Sequence, residues 1–135
     1  MPLVRIDIIK GRTAAQRRRL GDAVHRALVE ALGIPAQDRF QVITEHEANE
    51  LVYDRGYLLD GGARRSDRLV MIQITLSVGR PLEKKRRLYQ LITENLGNLD
   101  VRPEDVLINL VETAWENWSF GLGEASYAPA EQATA

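Results

Sequence analysis

The sequence predicts an α/β (α+β) domain in which two fused β-α-β units form one four-stranded sheet with two helices on one face. The prediction depends on strand-like alternation, helical apolar stripes and an internal repeat. Residue types recur in order at an offset of 68 positions: Gly11 with Gly79, Arg12 with Arg80, Leu20 with Leu88 and Pro35 with Pro103. We therefore expect one domain, 1–135, with repeat halves at about 2–46 and 69–113.

The first half has the pattern strand, helix, strand. Apolar and polar residues alternate over 3–9, as in a half-buried strand. Thr13 followed by Gln16 is a capping-box signature for a helix start, and an apolar stripe continues it. Gly33 predicts the helix end, and a second alternation over 40–45 predicts the next strand.

The second half repeats this layout. A strand is predicted over 70–76, and Pro81 suits the first helical turn, where its missing N–H costs nothing. The buried stripe of that helix comprises Leu88, Leu91, Ile92 and Leu96. The last long strand is predicted over 106–110. The polar segment 47–68 between the halves is expected to be a hairpin or a loop, and the tail 128–135 to be frayed.

Parallel strands joined by a crossover helix pack right-handedly, so both helices cover the same face of the sheet. We expect the other face to remain apolar and exposed. An exposed apolar sheet face predicts self-association.

Composition excludes several classes of function. The net charge of −1 gives no reason to expect nucleic acid or an anionic membrane as partner. The chain has no cysteine, and His25 and His46 are too few for a zinc site, so no metal or cofactor is expected. No apolar run reaches the roughly 20 residues that span a bilayer, and no signal-peptide layout is present. A cytoplasmic enzyme or binding module is expected.

Pro2 is the candidate for acid–base chemistry. If Met1 is removed, the terminal secondary amine of Pro2 can donate or accept a proton. Burial and nearby cations lower the pKa of such an amine and make it a base near neutral pH. The alternative is that Pro2 merely follows the start codon and permits removal of Met1.

Other candidates lie at the ends of predicted elements. At a helix start, Arg80 can hold a substrate carboxylate or stabilise an enolate, unless it is simply a solvated arginine. Asp38 can orient the amine or a water molecule, or instead form an Asx turn. Aromatic side chains near the C-terminus can exclude water from a small site, or cover the sheet edge or an interface: Trp118, Phe120 and Tyr127.

Several segments together resemble the tautomerase superfamily, and within it the malonate semialdehyde decarboxylases. The matching segments are Met1–Leu3, Glu30–Phe40, Gly79–Pro81 and Trp118–Gly123. The resemblance runs from Pro2 to about Tyr127. It implies a tautomerase-like fold, a homotrimer and an active site around an N-terminal proline.

The resemblance also implies roles for individual residues. The decarboxylases use an aspartate where Asp38 stands and two arginines flanking a proline, whereas this chain has Arg80 and then Leu82. Arg12 matches an arginine that shorter tautomerases place on a substrate carboxylate. We therefore expect keto–enol tautomerisation, or a related proton transfer, on a small oxo acid. The alternatives are a decarboxylase or hydratase acting on a small oxo or unsaturated acid, and a non-catalytic trimeric binding module.

Overall fold

A computed structural model describes residues 1–128, so the predicted frayed tail beyond Ala128 lies outside the described residues. The elements follow the order strand, helix, strand, strand, helix, strand. They are β1 (Leu3–Ile9), α1 (Ala14–Leu32), β2 (Phe40–His46), β3 (Val70–Ser77), α2 (Leu82–Gly97) and β4 (Val106–Thr113).

The ends of α1 follow the predicted local chemistry. Thr13 is the N-cap: its side chain accepts a hydrogen bond from the Gln16 amide at 3.1 Å, and the Gln16 side chain accepts one from the Thr13 amide at 2.8 Å. Gly33 ends the helix with φ of 68°, a left-handed conformation that costs little without a Cβ. Helix α2 differs in that Pro81 is its N-cap and the helix begins one residue later.

The strands form one mixed sheet in the order β2-β1-β3-β4. Each β-α-β unit contributes a parallel pair, β1 with β2 and β3 with β4. The two units join through the antiparallel central pair, in which Leu3 lies opposite Thr75. This pairing confirms the predicted architecture and brings the start of β1 close to the end of β3.

The core lies between the sheet and the two helices. It is built from the alternate strand residues that face the helices and from the apolar stripes of α1 and α2. Burial of these side chains is the main favourable contribution to the stability of the domain. Its fully buried members include Val4, Ile6, Ile72, Ile74, Leu88 and Ile92.

The prediction of an apolar opposite sheet face was wrong in part. Leu3 and Val42 are exposed there, at 37% and 41%. However, the middle of the face is a polar row, in which Arg5 pairs across the strands with Gln73 and Gln73 donates a hydrogen bond to Asn109 at 3.1 Å. The simple alternation of β1 and β3 places these polar residues on the open face.

The segment between the two units is an irregular loop without strands in the described chain. Hydrogen bonds across it, such as Tyr53 to the carbonyl of Ser66, hold its two arms together. No helix within residues 1–128 is long and apolar enough to cross a membrane.

Candidate functional site

Four separate segments meet around the amino terminus. The start of β1 brings the first two residues, the loop between α1 and β2 brings Asp38, and the turn between β3 and α2 brings Arg80. The segment after β4 contributes Tyr127. The antiparallel pairing of β1 and β3 explains the meeting, because it sets the chain terminus beside the end of β3.

The terminal amine is buried next to a carboxylate. In the described chain it belongs to Met1, is ion-paired with Asp38, and is followed by a buried Pro2. The pKa of the Met1 ammonium falls from 8.0 to about 6, chiefly because burial disfavours the charged form and secondly because Arg80 lies nearby. An amine in this position therefore gives up its proton at a lower pH than an exposed chain terminus does.

Arg80 supplies the positive charge of the site. Gly79, with φ of 120°, makes the turn out of β3, and the Arg80 guanidinium donates a hydrogen bond to the Ser77 carbonyl at 2.9 Å. Burial lowers the pKa of Arg80, and Glu112 acts in the opposite direction. Among residues 1–128 no carboxylate forms an ion pair with Arg80, so its remaining N–H groups are available to a bound anion.

The amine, Asp38 and Arg80 line one open cavity of about 350 Å³. This volume suits a small organic acid. Most of the other lining residues come from the end of α1 and the loop after it. They are Leu32, Gly33, Ile34, Pro35 and Gln37, together with Tyr127.

The predicted aromatic residues form a layer beside the cavity. Phe120 stacks on Trp118 at 5.4 Å and meets Tyr127 edge-on at 5.4 Å. Tyr127 lines the cavity itself, whereas Trp118 and Phe120 lie in the layer next to it. Phe40, at the start of β2, also contacts Phe120, with ring centroids 5.4 Å apart.

Ser77 is a residue that the sequence reasoning missed. It is fully buried, its hydroxyl donates to the Met1 sulfur at 2.8 Å, and it accepts a hydrogen bond from the Trp118 indole at 2.9 Å. The repeat holds a signal for it, because a serine stands where the first half has Ile9. This replacement of an apolar residue by a serine between the two halves indicates a position that differs in role.

Two further positions are informative by where they lie. Leu82, which stands where the decarboxylases carry a second arginine, is exposed at the start of α2 and does not line the cavity. Arg12, the repeat counterpart of Arg80, lines a different cavity. No group of three or more His, Cys, Asp or Glu side chains in the described part of the chain is arranged to hold a metal ion.

Comparisons with known proteins agree on one family. A family model described as tautomerase enzyme matches residues 38–121, and a second model of the same description matches residues 2–54. The chain is similar to the probable tautomerase YrdN of Bacillus subtilis strain 168, with 38% identity over 128 residues, which is 94% of this chain and 96% of YrdN.

Two solved structures are also similar. FG41 malonate semialdehyde decarboxylase inhibited by 3-bromopropiolate shares 42% identity and a TM-score of 0.88, covering 98% of this chain and 99% of that one. A malonate semialdehyde decarboxylase studied for its decarboxylase and hydratase activities shares 38% identity and a TM-score of 0.85, covering 93% of this chain and 95% of that one.

Proposed function

The chain belongs to the tautomerase family, and we propose that it is an enzyme that moves protons on a small oxo acid with the terminal amine of Pro2. The proposal requires removal of Met1, which leaves Pro2 as the first residue. The observation that carries it is a buried terminal amine with a lowered pKa, in one cavity with Asp38 and Arg80.

The environment of the Met1 amine indicates what Pro2 would experience. Pro2 is also buried, and it lies between Met1 and the first residue of β1. Burial and the charge of Arg80 would lower the pKa of its amine as they lower that of Met1, whose pKa falls to about 6. A base with such a pKa is mostly neutral at pH 7 and can still accept a proton from carbon.

Loss of Met1 would also open the substrate space. The Met1 side chain is almost fully buried and its sulfur accepts the hydroxyl hydrogen bond of Ser77. Without Met1, a substrate occupies the volume between Ser77, Arg80 and the new terminal amine. The Ser77 hydroxyl is then free to donate to a substrate oxygen.

The proton transfer follows from these positions. Arg80 holds the substrate carboxylate or the adjacent carbonyl oxygen with charge-assisted hydrogen bonds. The neutral Pro2 amine takes a proton from the carbon next to the carbonyl, the C–H electron pair forms a C=C bond, and the carbonyl electrons move to oxygen. Arg80 stabilises the resulting enolate, and the protonated amine gives its proton to the enolate oxygen, which yields the enol and regenerates the neutral amine. The same steps in reverse convert the enol into the ketone.

Asp38 and the aromatic layer support this chemistry. The Asp38 carboxylate contacts the terminal ammonium in the described chain, so it can orient the amine of Pro2 after Met1 is gone. Tyr127 closes one side of the cavity, backed by Phe120. Water exclusion at such a wall strengthens the electrostatic contacts inside the site.

Decarboxylation of a 3-oxo acid is the second candidate, favoured by the likeness to the two malonate semialdehyde decarboxylases. In that reaction the bond to the carboxyl carbon breaks, CO₂ leaves, and the electron pair forms an enolate that then takes a proton. Arg80 would have to provide the cationic contact alone, because Leu82 stands where the decarboxylases carry their second arginine. The site of this chain therefore has one arginine fewer than theirs. Hydration of an unsaturated acid, with Asp38 holding water, belongs to the same candidate.

A homotrimer is part of the proposal. Supporting it, the open sheet face exposes apolar side chains at one end, among them Leu3, Phe40 and Val111. Burial of such side chains favours association. Light scattering coupled to size-exclusion chromatography checks the expected mass of three chains.

The decisive experiment links the amine to turnover. Intact mass shows whether Met1 is absent, and the processed protein is then mixed with the enol form of an aryl 2-oxo acid and followed by ultraviolet absorbance. We expect Pro2→Ala, which replaces the ring-held secondary amine by a mobile primary amine, to lower kcat/KM by about 10²-fold, the lower end of the contribution of a positioned acid–base group. The exposed Arg86→Gln variant, with unchanged activity, serves as the control.

The outcome distinguishes the candidates. Release of CO₂ from a 3-oxo acid at a rate exceeding enol–ketone exchange would favour the decarboxylase. Full turnover by Pro2→Ala, with the oligomer intact, would contradict the amine mechanism. A processed wild-type protein that turns over neither an enol nor a 3-oxo acid would favour the binding module. The wild-type kcat/KM should rise about tenfold per pH unit below the pKa of the Pro2 amine and level off above it. We expect that pKa to lie below the ordinary value, because burial and Arg80 lower the pKa of the Met1 amine at the same place.

A further inference from the structure

A second cavity, of about 220 Å³, lies away from the amino terminus. The start of α1, the end of α2 and the last residues of the central loop form it. Its charged lining consists of three arginines, Arg12, Arg19 and Arg68, and one carboxylate, Asp100. The remaining lining residues are Gln16, Leu20, Asn98 and Leu99.

Arg12 is the buried cation of this cavity. It is 5% exposed, and its guanidinium donates one hydrogen bond, to the Arg68 carbonyl at 2.9 Å. Burial and then the charge of Arg68 lower the pKa of Arg12, while Asp105 acts in the opposite direction. A guanidinium stays protonated in proteins, so this environment holds a buried charge that a bound anion would compensate.

The other two arginines of the cavity lie at its solvent-exposed rim, where they can also contact an anion. Both Arg19 and Arg68 are exposed, and within residues 1–128 none of the three arginines forms an ion pair with a carboxylate. Asp100 also lines the cavity. Because three arginines face this one carboxylate, the balance of charge in the lining is positive. Arginines converging on a pocket are the usual means of holding a carboxylate or a phosphate.

The internal repeat explains why the cavity exists. Arg12 is the counterpart of Arg80, and Asp100 is the counterpart of Leu32, which lines the cavity at the amino terminus. The counterpart of Met1, however, is Leu69, a fully buried residue in the middle of the chain. The second cavity therefore has an arginine at its strand-to-helix junction but no terminal amine.

We propose that this second cavity binds a small oxyanion, with Arg12 at its buried end and Arg19 and Arg68 at its rim. The anion carries carboxylate or phosphate groups, the chemistry that guanidinium groups pair with. The volume of about 220 Å³ admits an ion the size of inorganic phosphate or malonate. Because the chain terminus lies at the other cavity, no terminal amine stands beside Arg12, and we expect this site to bind its ligand without transforming it.

Nuclear magnetic resonance of the arginine side chains tests the proposal. The Nε–H signal of Arg12 is assigned by its loss in Arg12→Lys, and labelled protein is titrated with inorganic phosphate or with malonate at constant ionic strength. We expect the Arg12 signal to shift saturably with at least one anion. Tighter saturation by phosphate or by malonate tells which group the site prefers.

Variants locate the anion. Replacing both rim arginines, Arg19→Gln with Arg68→Gln, should weaken binding at Arg12 by about tenfold or more, since each removes charge-assisted hydrogen bonds. Arg86→Gln loses the same type of charge from an exposed position on α2 and should leave the titration unchanged. Arg80→Gln should also leave it unchanged, which separates this cavity from the one at the amino terminus.

Two results would overturn the proposal. One is an Arg12 signal that does not move with either anion. The other is a titration of equal affinity in the rim double variant and the wild type. Circular dichroism verifies that the double variant is folded, and Arg19→Gln alone provides the milder variant if it is not.

Discussion

The two strand-to-helix junctions of the repeat share a design and differ in one component. Each places an arginine, Arg12 or Arg80, where a strand turns into a helix, and each arginine lines a cavity. At Arg80 the neighbouring strand begins with the chain terminus, whereas at Arg12 the neighbouring strand is preceded by the central loop and Leu69. A fused duplication has one amino terminus, so one of its two junctions can carry amine chemistry.

The largest expected effect is the difference in kcat/KM between Arg80→Gln and Arg12→Gln. Loss of Arg80 should lower kcat/KM by about 10²–10³-fold, as for removal of a group that stabilises an oxyanion. It should also move the pH profile to higher pH, because a cation that lowers the amine pKa is gone. Enzyme kinetics across pH measure both effects.

Arg12→Gln is the matched control for this comparison. We expect its kcat/KM to stay within a few-fold of wild type, and its stability to fall by about 1–3 kcal/mol because the contact with the Arg68 carbonyl is lost. Equal losses of activity in the two variants would mean that the junctions are functionally alike.

The next difference concerns two aspartates in the loops that follow the helices. Asp38→Asn removes the carboxylate beside the terminal amine and should lower kcat/KM about tenfold, with the pH profile moved to lower pH. An unshifted profile would show that Asp38 does not act on the amine.

Asp105→Asn should instead change stability. Asp105 is 1% exposed and accepts hydrogen bonds from the amide and hydroxyl of Ser66 at 2.7 Å. Burial alone would raise the pKa of Asp105, but the bonds from Ser66 and Arg102 outweigh it and lower the pKa below 3.8. Its contribution is therefore present above pH 3.8 and lost as the pH falls through the folded-state pKa.

Denaturant unfolding checks this expectation. We expect Asp105→Asn to lower the free energy of unfolding at pH 7 by about 2 kcal/mol, with kcat/KM nearly unchanged. A loss of activity as large as that of Asp38→Asn would contradict the division of roles between the two loops.

The smallest expected effect is that of Ser77→Ala. The substitution removes the acceptor of the Trp118 indole and the hydroxyl that touches Met1, at a position where the first half has Ile9. We expect kcat/KM to fall a few-fold and stability to fall by about 1 kcal/mol. Thr93→Ala, which loses a hydroxyl hydrogen bond within α2, is the control; equal effects on kcat/KM would remove any special role of Ser77.

Local patterns in the sequence were sufficient for the elements. The capping box at Thr13, the left-handed Gly33 and the alternation of the first three strands predicted their bounds to within about two residues, whereas β4 runs three residues beyond the predicted 106–110. These signals act within one helical turn or along one strand, so they require no knowledge of distant contacts. The candidate residues Pro2, Asp38 and Arg80 were chosen from chemistry and from a family resemblance, and their catalytic roles stay predictions.

Other features depended on which elements become neighbours. Ser77 went unnoticed because its partners, Met1 and Trp118, are far from it along the chain. The polar row through Arg5, Gln73 and Asn109 was underestimated because three strands must pair before these residues line up. Contacts of this kind are set by strand register, which is not written in any one segment.

The sequence by itself determined a duplicated β-α-β chain with an arginine at each strand-to-helix junction and a proline after Met1. Only the tertiary structure decided that the terminus meets Asp38 and Arg80 in one cavity while Arg12 lies in another. The physical reason is the antiparallel pairing of β1 with β3. This pairing sets the start of one unit beside the end of a strand of the other, and no local periodicity specifies it.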